Sequence, residues 1–165
     1  MLLNLIQVMS IRDRKLIIES FEIKDIVDQV LLSLKTIKKF EQIKVSIHQL
    51  VKNTFRTDRE LMIITLTQLI ENSIFYSCET DPEIQIRILN DDHGNLLLEV
   101  ADNGTGIPAE ALEKVFDMFY RGTLLSKGSG LGLYLVKNAV ERLGGHIKVS
   151  SEENKGATFA IHFST

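Results

Sequence analysis

Cysteine is almost absent from this chain of 165 residues, where Cys78 is the single example. One cysteine excludes a disulfide within the chain and argues against a cysteine-rich metal site, and it fits a reducing compartment. A basic excess is also missing, because 19 Lys and Arg stand against 22 Asp and Glu, a formal net charge of −3. We therefore expect no nucleic-acid-binding surface.

Long apolar runs are missing as well. No stretch approaches the roughly 20 apolar residues that a membrane span requires. Residues 1–9 lack the basic leader and the small-residue cleavage site of a signal peptide. We therefore expect a cytoplasmic domain that makes no contact with a membrane. The rest of the composition, 44% hydrophobic and 25% charged residues, is typical of one globular domain with its own core.

The hydrophobic pattern predicts helices alternating with short strands. Helical spacing indicates helices over residues 1–10 and 22–39, over a segment that the capping box Thr57-Asp58-Arg59-Glu60 opens and that runs to about Ser77, and over residues 131–143. Period-two alternation predicts strands near residues 17–21, 45–47, 84–88, 96–101, 147–150 and 158–163, with a turn at 91–95. This order predicts an α+β fold, a two-layer α/β sandwich with a mixed, mostly antiparallel sheet and helices on one face.

The helix after the capping box carries a first candidate site element. Gln68 and Asn72 are four residues apart and therefore share one helix face. An amide oxygen on that face can bind a magnesium ion whose other ligands are phosphates and waters. An asparagine that hydrogen-bonds locally or faces solvent has the same pattern, so this motif alone leaves both interpretations open.

A second element, D-N-G-T-G-I-P at residues 102–108, directly follows a predicted strand. The carboxylate of Asp102 can accept a hydrogen bond from an exocyclic amine, and Gly104 and Gly106 allow the backbone to approach a flat ring closely. An ordinary Asp-, Asn- and Gly-rich turn looks similar. The segment from 102 to 130 is long for a loop in a compact domain, which favours a ligand-gated lid.

Glycines mark two further motifs. G-S-G-L-G-L at residues 128–133 opens a helix, where free N–H groups and the positive end of the dipole favour phosphate. It has no strand immediately before it, unlike the Rossmann fingerprint, and its preceding lysine is in the wrong order for a Walker A loop. G-A-T-F at residues 156–159 is a tight turn into the last strand.

In this order the four motifs resemble the asparagine box and the three glycine boxes of sensor histidine kinases. These form one branch of the Bergerat ATP-binding fold, which gyrase, the mismatch-repair ATPases and a heat-shock chaperone share. F-D-M-F-Y-R-G at residues 116–122 looks like the phenylalanine box of the family. The resemblance implies ATP and Mg²⁺ as cofactors and a catalytic domain over residues 16–165. Residues 1–15 would be the remnant of a dimerisation helix and its linker.

The resemblance also implies roles for single residues. Asn72 is expected to hold Mg²⁺ against the triphosphate, with Gln68 as the second catalytic position, and Asp102 is expected to accept from the adenine amino group. Further nucleotide contacts are expected from Tyr76, Gly104, Gly106, Ile107, Tyr120, Arg121, Lys127, Gly130, Leu131, Gly132, Leu133 and Thr158.

Two positions depart from related sequences. Phe75 stands where the family often has a lysine that reaches a phosphate, so either Lys127 or Arg121 supplies that charge or ATP binds more weakly. Gln68 stands where the hydrolytic branches have a glutamate that activates water, and glutamine cannot take a proton. Glu71 lies about 100° around the helix and is a poor replacement. Phosphoryl transfer is therefore favoured over hydrolysis.

The acceptor histidine of the family lies on a helix and is followed by an acid and soon by a proline. None of the four histidines has this context: His48, His93, His146 and His162. The resemblance therefore implies transfer of the ATP γ-phosphoryl to a histidine on dimerisation helices of the same parent protein, with a response regulator downstream. Alternatives are a nucleotide-binding regulatory module without catalysis, a serine kinase of the same fold, and a gyrase-type hydrolytic clamp.

Overall fold

The computed structural model describes residues 11, 13–50, 54–90, 95–121 and 129–163. In chain order the strands and longer helices are β1 Ile18–Glu22, α1 Ile23–Leu34, β2 Lys44–Gln49, β3 Thr54–Asp58, α2 Arg59–Phe75, β4 Glu83–Asn90, β5 Leu96–Asp102, α3 Gly132–Arg142, β6 Gly145–Glu152 and β7 Gly156–Phe163. Two short 3₁₀ helices, Lys38–Gln42 and Ala109–Ala111, lie between them.

Five strands form the main sheet, in the order β2-β4-β5-β7-β6. The β2–β4 pair is parallel, because β3 and α2 lie between these strands in the chain and provide a crossover. The other three pairs of this sheet are antiparallel. A second, two-stranded sheet pairs β1 with β3. The predicted α+β sandwich with a mixed, mostly antiparallel sheet is confirmed.

The core lies between one face of the main sheet and the helices. Side chains at alternate strand positions are buried there, as period two requires. The strand residues of this face are Ile84, Ile86, Ile88, Leu96, Leu98, Val100, Phe159, Ile161 and Phe163, and α1 contributes Ile23, Ile26, Val27, Val30 and Leu34. Leu66 of α2 is fully buried among them, and truncating such a leucine to alanine costs about 2–5 kcal/mol.

Helix α2 begins one residue later than the capping-box pattern indicates. Its N-cap is Asp58, whose Oδ1 accepts a hydrogen bond from the Leu61 N–H at 3.1 Å. The prediction of Thr57 as the cap is wrong, because Thr57 still belongs to β3 and pairs with Glu19 of β1. The sequence pattern did not predict β3, whose five residues lie directly before the helix.

Other boundaries differ from the predicted ones. Helix α1 ends at Leu34, and a turn and a 3₁₀ helix take up the rest of the predicted segment. Helix α2 ends at Phe75, two residues before the predicted end. The predicted helix at residues 1–10 and most of the predicted turn at 91–95 lie outside the described residues. Within the described part of the chain, no helix has both the length and the hydropathy to cross a bilayer.

Candidate nucleotide-binding site

Asp102, the last residue of β5, has hydrogen-bond donors around its carboxylate. Its Oδ1 accepts from the backbone N–H of Gly104 at 2.9 Å and of Ala157 at 3.3 Å, and its Oδ2 accepts from the Ser73 hydroxyl at 2.9 Å. Burial raises the pKa of Asp102 above its ordinary value, and the three hydrogen bonds partly offset this. The carboxylate is therefore fixed in orientation and able to accept from a further donor.

Ser73 is a site residue that sequence reasoning missed. It lies on α2 and is 1% exposed, and its hydroxyl is what joins this helix to the end of β5. A signal was present in the sequence, because Ser73 continues the buried stripe of α2 that passes through Leu66 and Leu69. A buried hydroxyl has to find a hydrogen-bond partner, and the nearby carboxylate provides it.

The glycines after Asp102 are required by the protein's own backbone. A Cβ on Gly104 would lie 2.3 Å from the carbonyl oxygen of Tyr76, and a Cβ on Gly106 would lie 2.1 Å from that of Glu152. Gly106 also has a φ of +67°, which favours glycine. The Thr105 N–H donates to the Tyr76 carbonyl at 3.0 Å, so the loop after β5 is held against the end of α2.

The same loop is tied to the last hairpin. The Ile107 N–H donates to the Ser151 hydroxyl oxygen at 2.8 Å, and that hydroxyl donates to the Gly156 carbonyl at 2.6 Å. Ile107 is half-buried against the core. The second and fourth sequence motifs therefore meet at Asp102.

One face of α2 carries a row of polar side chains that the core does not cover. Gln68, Glu71 and Asn72 are all half-buried on this face. The Gln68 Nε2 donates to the Glu71 Oε2 at 3.2 Å. These two residues are three positions apart and are therefore neighbours on the helix surface. Burial raises the pKa of Glu71, and the hydrogen bond from Gln68 lowers it in part.

The start of α3 meets this row. A Cβ on Gly132 would lie 2.8 Å from the Gln68 Oε1, so the glycine allows the helix start and the amide to approach closely. Gly130 has a φ of +70°, and its carbonyl accepts from the Phe119 N–H at 3.0 Å. Leu131 is fully buried and anchors the turn. The first and third motifs are thus brought together.

Comparison with known proteins gives the family. Residues 57–165 match the family model described as histidine kinase-, DNA gyrase B-, and HSP90-like ATPase. The chain belongs to this ATPase family. Sensor protein SrrB of Staphylococcus aureus is 40% identical over 115 residues, which cover 67% of this chain and 19% of that protein. The chain therefore spans about a fifth of the length of the curated relatives it matches.

Solved structures share the fold of this ATPase-family chain. The Acinetobacter baumannii histidine kinase AdeS superposes with a TM-score of 0.81 at 24% identity, covering 99% of this chain and 76% of that one. Full-length ShkA in complex with AMPPNP gives a TM-score of 0.84 at 20% identity, covering 97% of this chain and 34% of that one. Both confirm the predicted architecture.

The strand register of this ATPase-family chain separates Thr158 from Asp102. Thr158 pairs with Ala101, and directly paired residues share one face of a sheet. Asp102 follows Ala101 and therefore projects to the opposite face, toward Ser73. The residue whose backbone reaches Asp102 is Ala157. Thr158 lies on the other face of the sheet from the carboxylate, and its contact with the nucleotide stays a prediction.

The remaining predicted contacts fall near the lid segment. Tyr120 is half-buried, and its N–H donates to the Asp117 carbonyl at 3.2 Å. Arg121 is exposed, and Lys127 lies outside the described residues. Leu133 is half-buried against the core. Their roles in binding stay predictions.

Phe75 occupies the position where the family often has a phosphate-binding lysine. The Phe75 side chain is 45% exposed at the end of α2. Lys39 lies close to this position, and its Nζ donates to the carbonyls of Phe75 at 3.3 Å and Ser77 at 3.1 Å. A cation at these carbonyls stabilises the C-terminal end of the helix.

The histidines of this ATPase-family chain that the structure describes lie on strands. His48 is on β2, and His146 and His162 face each other across β6 and β7 with ring centroids 4.7 Å apart. His93 lies outside the described residues. The described histidines thus lack the helical context expected of an acceptor.

Proposed function

We propose that this chain is the ATP-binding catalytic domain of a sensor histidine kinase, and that it transfers the γ-phosphoryl of ATP to a histidine on dimerisation helices of the same parent protein. The observation that carries the proposal is that α2 contacts both ends of one site. Ser73 contacts Asp102 at one end, and Gln68 contacts the start of α3 at the other. Five residues along a helix correspond to about 7.5 Å.

The Asp102 end suits the adenine base. Two backbone N–H groups and one hydroxyl hold the carboxylate, so it needs little reorganisation to accept from an exocyclic amine. Guanine has a carbonyl oxygen in place of that amine, and two acceptors would then face each other. We therefore expect ATP to be preferred over GTP.

The other end suits the phosphates. The start of α3 follows Gly130, and its first N–H groups have no partner within the helix. Asn72 and Gln68 offer amide oxygens on the facing helix, which is the kind of ligand that Mg²⁺ accepts alongside phosphates and water. The donor set thus fits one Mg²⁺ bound with the triphosphate. When bound, the ion neutralises charge that develops on the transferred group.

Transfer is favoured over hydrolysis by the same residues. Gln68 has no basic group, and its amide donates to Glu71. The domain then acts by positioning the nucleotide and neutralising its charge, which are the main contributions in phosphoryl transfer. The name of the relative SrrB, a sensor protein, and the AMPPNP bound to ShkA support the same function.

The proposal includes the surroundings of the domain. The acceptor histidine lies on dimerisation helices outside this chain, a response regulator receives the phosphoryl group afterwards, and residues 16–165 are the catalytic domain after a helix and linker remnant at 1–15. The parent protein presents this domain to the cytoplasm. The absence of a helical histidine among the described residues is compatible with an acceptor in another segment.

A reconstituted transfer reaction tests the function. The full chain is mixed with a purified dimeric helical hairpin that carries the acceptor histidine, γ-labelled ATP and Mg²⁺. We expect an acid-labile, base-stable label on the hairpin and no label with the Asn72→Asp variant. ATP binding without transfer to hairpins of related kinases would indicate a regulatory module instead, and steady release of phosphate by the chain alone would indicate a hydrolytic clamp.

A further inference from the structure

The segment before β1 packs onto the two helices that form the phosphate end of the site. We name Ile11 and residues 13–17 the N-terminal clasp. Ile11 is 1% exposed and shares a small core with Leu61 of α2 and with Leu135 and Ala139 of α3. This core is separate from the main one, so the clasp, α2 and α3 are joined by contacts of their own.

Arg14 is the polar centre of the clasp. Its guanidinium donates to Asp58, with the shortest contact at 2.9 Å, and to Glu60 at 2.5 Å. Asp58 is 1% exposed and Arg14 is 18% exposed, so this is a partly buried ion pair at the N-terminal end of α2. The Arg142 guanidinium donates to the Arg14 carbonyl at 2.6 Å, which adds the last residue of α3. Arg14 thus contacts the N-terminal end of α2 and the C-terminal end of α3.

Asp58 has two roles at once. Its Oδ1 caps α2 through the Leu61 N–H, and its Oδ2 accepts from the Ile17 N–H at 2.8 Å and from Arg14. If the clasp leaves, Asp58 keeps the capping bond but loses the hydrogen bonds from the Ile17 N–H and from Arg14. Clasp position and the start of α2 are therefore linked.

The same two helices meet at the site through Gln68 and Gly132, where a Cβ added to the glycine would lie 2.8 Å from the Gln68 Oε1. Helices α2 and α3 pack directly against each other. The clasp contacts both of them, so its position bears on their relative position and on the Gln68–Gly132 contact further along. Any ligand that needs this contact then binds best when the clasp is docked.

We propose that Arg14 is a positioning residue for the nucleotide site, and that docking of the N-terminal clasp and binding of ATP strengthen each other. The inference rests on the proposed function in one respect, because it takes the Gln68–Gly132 contact as the part of the site that binds the phosphates of ATP. Linkage requires both effects to have the same size, and couplings of this kind are typically about 5- to 150-fold.

Two measurements on the full chain test this. Calorimetric titration with AMPPNP and Mg²⁺ compares the unmodified chain with Arg14→Ala and with Lys24→Ala. The control removes one positive charge from the exposed Lys24–Asp28 pair on α1. We expect Arg14→Ala to weaken binding about tenfold and Lys24→Ala to change it less than twofold.

The second measurement needs no variant. Amide hydrogen exchange at Ile17, whose N–H donates to Asp58, is followed with and without AMPPNP and Mg²⁺. We expect the nucleotide to slow this exchange by about tenfold, the reciprocal of the first effect. A folded Arg14→Ala chain with unchanged affinity, or unchanged exchange at Ile17 in an unmodified chain that binds nucleotide, would overturn the proposal. If Arg14→Ala does not fold, the exchange result decides. An unmodified chain that binds no nucleotide contradicts the proposed function instead.

Discussion

The hydroxyl of Ser73 donates a hydrogen bond to the Oδ2 of Asp102 at 2.9 Å, and this contact joins α2 to the end of β5. It also shows how the site can be dissected by substitution. The two oxygens of Asp102 have different partners, because Oδ1 accepts from two backbone N–H groups and Oδ2 accepts from the hydroxyl. An asparagine can keep all these contacts, since its Oδ1 accepts and its Nδ2 can donate to Ser73.

Asp102→Asn should separate stability from binding. Burial raises the pKa of Asp102 above 3.8, so between that value and the raised pKa the folded chain binds more protons than the unfolded chain. The unmodified chain therefore gains stability as the pH falls through this window. We expect Asp102→Asn to have the higher Tm near neutral pH, with a difference that shrinks as the pH is lowered.

Binding should respond in the opposite direction. Hydrogen bonds to charged groups contribute about 1.5–3 kcal/mol, so loss of the carboxylate should weaken ATP binding about 10- to 100-fold. Thermal unfolding from pH 4 to pH 7.5 and calorimetric titration measure the two effects. Asp28→Asn, on the exposed face of α1, is the matched control and should change neither. A lower Tm for Asp102→Asn at every pH would contradict this account of burial.

Gly132→Ala should disturb the site while leaving the fold stable. The new Cβ would meet the end of the Gln68 side chain, which can move, and alanine is a better helix former than glycine. We expect an unchanged or higher Tm and weaker binding of AMPPNP. Gly104→Ala is the contrasting variant, because its Cβ would meet the backbone carbonyl of Tyr76 at 2.3 Å. It should lower the free energy of unfolding by about 1–3 kcal/mol.

The sequence predicted the parts of the molecule that depend on local pattern. Alternation at Ile84, Ile86 and Ile88 predicted β4 and its buried face, and this is confirmed. The same alternation through Phe159 and Ile161 places Thr158 on the other face of the sheet.

Contacts between distant segments could not be predicted in this way. The bond from Ser73 to Asp102 joins residues 29 positions apart, and that from Arg14 to Asp58 joins residues 44 positions apart. Both depend on how α2 packs on the sheet and on the clasp. Sequence periodicity shows that Ser73 and Asp58 are buried or at a boundary, but it does not identify their partners.

Phe75→Lys should restore a phosphate contact. The side chain is 45% exposed, so the loss of ring burial is small, and the lysine would lie one turn after Glu71 in the favourable orientation for an i,i+4 pair. We expect ATP to bind about two- to fivefold more tightly, with a smaller gain for ADP, and the gain should fall at high salt. Phe75→Gln controls for loss of the ring. An equal gain for Phe75→Gln would show that the charge is not responsible.

Gln68→Glu should introduce hydrolysis. The Gln68 Nε2 lies 3.2 Å from the Glu71 carboxylate, so the variant places two carboxylates in contact and raises the pKa of the pair. A carboxylate with a raised pKa is a better base for a water molecule, and we expect steady release of phosphate from ATP to rise about tenfold, more at pH 8 than at pH 6.

The double variant Gln68→Glu with Glu71→Gln tests the effect of a carboxylate base at position 68 without the repulsion between two carboxylates. It exchanges the two groups and so keeps one amide and one carboxylate in contact. Since the single variant carries two negative charges at this point, its Tm should fall as the pH rises, whereas the double variant should keep the Tm of the unmodified chain. Both should release phosphate faster than the unmodified chain if position 68 faces the attacking water. If neither variant releases phosphate faster than the unmodified chain, Gln68 is not the reason that this site favours phosphoryl transfer over hydrolysis.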